Sequence, residues 1–222
     1  MEFNQLLPLL LEGIKETLYM TVLSTVFSYL LGIPVGVILF ITDKNGVWEC
    51  KPINMILGII VNLARSIPFI ILLVAILPFT KAVVGTTIGS NATIVPLVVA
   101  AAPFIARMVQ SSLKEVDAGV IEAALAMGSS PLQIIWNVLL PEARPSLMIG
   151  CTIAITTILG YSAMAGFVGG GGLGAIAVNY GYYRYQTNIM FITVALLVII
   201  VQIFQEIGMK LANKTDKRIK NS

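Results

Sequence analysis

Five long apolar stretches dominate this 222-residue sequence and leave little choice of fold. They fall at about 17–41, 53–77, 92–109, 147–168 and 189–207. Each approaches the roughly 20 apolar residues that a helix needs to cross a bilayer. Only 11% of the residues are charged, against about 25% in an ordinary soluble domain. Lipid therefore replaces water around much of the surface. The expected fold is an all-α polytopic membrane protein, with five transmembrane helices in a single domain over residues 1–222. Gly32, Pro34, Pro68 and Pro103 inside these runs predict kinks, because neighbouring helices can satisfy the backbone groups they free. The opening residues carry Glu2 and Glu12 where a cleavable leader would be basic. They read as a short amphipathic lead-in at the interface, with a disordered tail as the alternative.

Positive charge orients the bundle. One set of connecting segments holds ten basic residues: Lys44, Lys51, Arg107, Lys114, Arg144, Lys210, Lys214, Lys217, Arg218 and Lys220. The opposite set holds three, Lys15, Lys81 and Arg184, and Arg65 lies within a span. The positive-inside rule places the first set in the cytoplasm. The N-terminus is then outside, the C-terminus cytoplasmic, and the longest loop, about 110–146, faces the cytoplasm.

That loop predicts two short helices. Asp117 reads as an N-cap for a helix ending near Met127, with Gly128 in the left-handed position that closes it. Ser130, Pro131 and Gln133 form a capping-box start for a second helix. Leu132, Ile135, Trp136, Leu139 and Leu140 follow the spacing of one apolar face, and Pro141 is expected to stop the helix. Such a pair either rests on the inner leaflet or forms a helix–turn–helix knob for a groove on a cytoplasmic partner. A leaflet-bound helix usually carries a basic polar face, and this one is almost uncharged.

The pattern Glu122-Ala123-Ala124, then Gly128, then Val138-x-Leu140-Pro141 resembles the EAA loop of ABC-importer permeases. The resemblance implies a type I importer permease fold, in which this loop docks into a cleft of a separate ATPase and couples its closure to alternating access. On that reading Ala123 and Ala124 allow close approach, Gly128 permits the turn, and Leu132 and Trp136 are anchors, with Leu140 and Pro141 completing the motif. Glu122 caps or pairs with a nearby basic group. No GxxxxGK[ST] occurs in the chain, so the energy source belongs to another polypeptide. The implied assembly is a permease homodimer with two ATPase subunits that bind ATP and Mg, and an extracytoplasmic substrate-binding protein, in a bacterial cell membrane. No cofactor or metal is expected in this chain, and its net charge of +3 gives no reason to expect nucleic acid.

The stretches "GYSAMAGFVGGGGLG", "NYGYYRY", "RSIPFIILLVAILPFTKAVVGTTIGS" and "AAAPFIARMV" narrow the resemblance to the methionine-type permeases, for D- and/or L-methionine, with another small amino acid as the alternative. Gly169, Gly171 and Gly174 satisfy GxGxxG literally. They follow a spanning helix and not a strand, so a dinucleotide site is not expected. The run reads either as a flexible turn flanked by interfacial tyrosines or as an outer gate and docking surface, with Tyr182 among its residues. Pore candidates are Arg65, with Asn62 and Ser66 nearby, and Tyr161, Ser162 and Met164 among small residues of the fourth span. An intramembrane charge faces protein or water, unless Arg65 lies near the interface and snorkels there; Glu115 or Glu206 are candidates to neutralise it. Met164 is either a plug on a two-fold axis or core packing. With no histidine in the chain and no acid inside a predicted span, an intramembrane hydrolase is disfavoured, and a passive scaffold leaves the coupling loop without a purpose.

Overall fold

The computed structural model describes residues 3–44 and 46–215. Lys217, Arg218 and Lys220 of the basic tail lie outside the described residues, as do Met1 and Glu2. Every regular element among the described residues is helical. Helix α1 runs unbroken from Phe3 to Ile41, so the lead-in is helical and continuous with the first span. Its hydroxyls are satisfied locally: Thr17, Thr21 and Thr25 donate to the carbonyls of Gly13, Thr17 and Thr21 at 2.8, 2.8 and 2.7 Å. In lipid that is the cheapest partner available to them.

The second expected span is broken. Helix α2 (Lys51–Ser66) is followed by α3 (Phe69–Ala75), bent from it by 101° at Ile67-Pro68. Proline lacks an N–H and pushes the residue before it out of the helical region, so α2 ends there. Helix α4 (Leu77–Val84) continues to Gly85, whose φ of 83° closes it. Helix α5 spans Ser90–Lys114. The connecting segment expected to hold two short helices folds as α6 (Ala118–Ala126), α7 (Pro131–Ile134), a π-helical turn at Ile135–Leu139 and α8 (Leu140–Glu142). Helix α9 is Arg144–Ala165, α10 is Gly172–Ile176 with a π-helical continuation to Tyr182, and α11 is Thr187–Thr215. Among the described residues, four helices are long and apolar enough to cross a membrane, five if the bent pair α2–α3 counts as one.

The described residues group into two units. The first comprises the chain up to Ser28 with Ile67–Ala101 and Ala154–Gln205. Its core packs Leu10 of α1 with Leu159, Leu173, Ile176, Ile189 and Ile200. Here the glycine run is an ordered reversal. Gly169 and Gly172 take φ values of 85° and 79°, which only glycine adopts freely. Gly166 and Gly174 bring backbone against backbone, leaving no room for a side chain beside Gly174–Ala175 or Ala163.

The second unit comprises Tyr29–Ser66, Ala102–Ile153 and the chain from Glu206. In it Gly32 and Gly36 of α1 face Ala102, Ile105, Ala106 and Val109 of α5. A Cβ placed on Gly36 would lie 2.7 Å from that of Val109. Without a hydrophobic force between helices in lipid, such close contact supplies the attraction. Gly36→Val is expected to cost about 1–3 kcal/mol by overpacking and to lower the melting temperature of the detergent-solubilised protein. An unchanged melting temperature contradicts this contact.

Candidate functional site

The helix pair at 118–142 is built by local signals. The Asp117 carboxylate accepts from the Gly119 N–H at 2.7 Å and caps α6. Gly128, at φ 79°, follows the C-cap Met127. Ser130 and Gln133 form the reciprocal capping box: the Gln133 N–H donates to Ser130 Oγ at 3.4 Å, and the Ser130 N–H donates to Gln133 Oε1 at 2.8 Å. These caps fix the pair as a rigid unit with known ends.

The apolar face differs from its expected form. Ile134, Ile135 and Leu139 turn inward, whereas Leu132 is 68% and Trp136 69% exposed. The π-helical turn splits the stripe. It also carries the chain past Pro141, which lies inside α8 and does not end the helix. The Leu140 N–H reaches Ile135 O, one residue further back than in an α-helix, and the widened turn makes room for the proline ring, which clashes with a regular preceding turn. Ala124 is buried while Glu122 and Ala123 are exposed, and Leu140 and Pro141 are half-buried. The result is a capped knob whose outer surface presents Leu132 and Trp136, with Val120, Leu125 and Met127 also exposed.

Of the expected pore group, Tyr161 stacks on Phe69, the first residue of α3, with ring centroids 4.5 Å apart. Ser162 is buried and donates to Leu159 O at 2.8 Å. Met164 is 49% exposed. Arg65 sits in the last turn of α2 and is exposed. Neither Glu115 nor Glu206 neutralises it: Glu206 pairs with Lys210 at 3.5 Å, and Glu115 lines a cavity with Ser112, Glu142 and Ser146.

In the glycine run, Gly171 abuts Ser90 and Glu16. The Glu16 carboxylate accepts from the Gly172 N–H at 2.6 Å, and Thr17 Oγ1 accepts from the Leu173 N–H at 2.9 Å. Two residues of α1 thus cap α10. Tyr182 is exposed and lies against Phe167 and Tyr183, at centroid distances of 6.4 and 5.3 Å. The flexible-turn reading is corrected: this segment is helical on both sides and tied down between them.

Two polar groupings escaped sequence reasoning. One is the Glu16–Thr17 cap. The other joins Arg107 of α5 to Gln110 Oε1 at 2.6 Å, to Asn62 Oδ1 at 2.8 Å and to Gly58 O at 3.3 Å. The three-and-four spacing of Lys51, Asn54, Gly58, Asn62 and Arg65 on α2 was the available signal for the second. For the first, no signal exists without knowing that residues 156 apart meet.

The profile described as "Binding-protein-dependent transport system inner membrane component" matches residues 17–214. The chain belongs to that family. Within this permease family it is 51% identical, over 95% of its own length and 93% of the relative's, to the probable D-methionine transport system permease protein MetI of Vibrio cholerae. It is 44% identical to the methionine import system permease protein MetP of Bacillus subtilis, covering 91% of each chain. A solved structure described as an inward-facing conformation of the MetNI methionine ABC transporter superposes with a TM-score of 0.96 at 47% identity, covering 98% of this chain and 100% of that one. The expected type I ABC importer permease fold is therefore the observed one.

At the end of α1, Asp43 pairs with Lys114 at 2.8 Å. The hydrogen bond from the Lys114 ammonium is the main reason its carboxyl titrates below the usual carboxylate range. A lowered folded value contributes stability above the unfolded pKa of about 3.9, and that contribution is lost as pH falls through the folded value. On acidification from about pH 6 to about pH 3, Lys114→Met is therefore expected to lose less melting temperature than the parent. An identical loss in both proteins means the pair is not formed.

Proposed function

We propose that this chain is the membrane-spanning permease subunit of an ATP-driven importer for methionine, D- and/or L-, working by alternating access as a homodimer. Two ATPase subunits, which bind ATP and Mg, dock on the α6–α8 knob from the cytoplasm, and an extracytoplasmic binding protein delivers the solute. The whole chain acts as one permease domain in a bacterial cell membrane, its N-terminus outside and its C-terminus in the cytoplasm, as the one-sided distribution of the basic residues outside the spans supports.

The observation that carries this reading is the bare Leu132–Trp136 surface on a helix pair capped at both starts. Exposed aromatic and aliphatic anchors on a rigid element are the usual core of a protein–protein contact. The names of the relatives support methionine as the solute, and a lightly charged helical bundle suits a zwitterion better than an ion. Gly169, Gly171, Gly174 and Tyr182 belong to the outer gate and binding-protein surface, where capped α10 presents its tyrosines. Met164, exposed on a helix of small residues, is the plug, and Tyr161 and Ser162 position it.

Trp136→Ala is expected to weaken ATPase binding by about 2 kcal/mol or more, or to leave ATP hydrolysis running without uptake in reconstituted liposomes. Normal assembly with fully coupled uptake refutes the docking role. Met164→Ala is expected to raise the basal leak of methionine in the absence of ATP; an unchanged leak and unchanged transport remove the plug. Competition of uptake by a panel of amino acids separates methionine from another small amino acid.

A further inference from the structure

The second unit brings two arginines to one face of α2. Lys51, Asn54, Gly58, Asn62 and Arg65 recur at intervals of three and four residues, which aligns them in a single stripe. Ile53, Ile56, Ile60 and Leu63 occupy the opposite face and are bare, as a lipid-facing surface is. Most of the polar stripe is engaged. Asn54 Nδ2 donates to Leu39 O at 2.7 Å and to Thr42 Oγ1 at 3.2 Å, and Arg107 Nη2 donates to Asn62 Oδ1 and Gly58 O. Arg65, one turn beyond Asn62, has no hydrogen-bond or ion-pair partner among the described residues.

All three Arg107 partners are neutral oxygens. Asp43, the acid whose titration Arg107 influences, is held by Lys114 at 2.8 Å. Neither guanidinium meets a carboxylate among the described residues. Cations along one polar stripe of a helix in lipid, with no carboxylate in contact, are unfavourable unless they face water or an anion.

Arg65 follows Lys51 by 14 residues on α2, about 21 Å at 1.5 Å per residue. With Lys51 at the headgroup level and α2 crossing the roughly 30 Å hydrocarbon layer, Arg65 lies within that layer and not at the face where Lys51 sits. A carboxylate-bearing solute that crosses the membrane reaches it.

We propose that Arg65, Arg107 and Asn62 form a carboxylate-binding subsite on the route of the transported amino acid. The assignment rests on the importer reading above. A guanidinium fork matches the two oxygens of a carboxylate. The bond from Arg107 to Asn62 Oδ1 orients the amide so that Nδ2 remains as a further donor to the same group. Arg65, exposed on its long stem and free of partners, meets the carboxylate and follows it, whereas Arg107 is fixed by its three bonds. Binding of this kind is local and reversible, as passage requires.

The test uses the complete transporter, permease with ATPase and binding protein, reconstituted in liposomes. Uptake of radiolabelled methionine and binding-protein-stimulated ATP hydrolysis are measured side by side for the parent, Arg65→Gln, Arg107→Gln and Arg107→Lys. Loss of a charged hydrogen bond is expected to slow uptake about tenfold or more in both glutamine variants, with hydrolysis within about twofold of the parent and partial recovery in Arg107→Lys. Arg65 has no structural partner, so its variant tests the subsite even if Arg107→Gln fails to assemble. Unchanged uptake in Arg65→Gln overturns the proposal. So does parent uptake that rises with anionic lipid, in a series of vesicles from pure phosphatidylcholine upward, when the variants abolish that rise, because the bound group is then a lipid phosphate. A parent complex that takes up no methionine while hydrolysing ATP refutes the importer reading itself, independently of any arginine.

Discussion

Everything in this structure depends on one constraint: the bilayer core offers backbone N–H and carbonyl groups no water to bond. A continuous helix meets it automatically, which is why α1 can run unbroken from Phe3 to Ile41. The informative places are those where the chain stops being a regular helix. At Gly172 the N-terminus of α10 takes its partners from Glu16 and Thr17 of α1. At Pro141 the missing donor is accommodated by a π-helical turn. At Gly169 a carbonyl accepts from the Gly89 N–H at 2.8 Å. Each irregularity carries its own compensation.

The second consequence is close packing. Lipid tails are as apolar as leucine, so helices gain little from hydrophobic burial and depend on contact. Gly32 and Gly36 let α1 approach α5, and Gly208 does the same for α11 against Thr152 of α9. Helices held at such distances move as rigid pieces, because no soft side-chain layer separates them. A push applied at one end of α9, directly after the α6–α8 knob, is then carried along the helix.

The helical class and the caps of the knob were legible in the sequence, because they rest on composition and on short-range rules. Asp117, Gly128, Ser130 and Gln133 all do what their positions dictate. What escaped was tertiary or depended on rarer geometry. Pro68 produces a 101° bend where a kink was expected, since propensity gives no angle. The stripe of Leu132, Ile135, Trp136, Leu139 and Leu140 fits one α-helical face, yet a π turn rotates Ile135 and Leu139 inward and leaves Leu132 and Trp136 outside. The glycine run hides its order, because glycines that mark a loop in water mark contact in a membrane. The meeting of Arg107 with Asn62 is a contact between residues 45 apart, and only a period-of-α stripe on α2 pointed towards it.

The central claim is that the α6–α8 knob faces the cytoplasm and is gripped there by a separate ATPase. Leu132→Cys, compared with the parent chain that keeps Cys50 and Cys151, can be labelled with a membrane-impermeant thiol reagent in intact cells and in inverted vesicles. The account predicts modification at position 132 only in inverted vesicles stripped of the ATPase, and protection when the ATPase is restored. Labelling of that position in intact cells, or equal labelling with and without the ATPase, contradicts it.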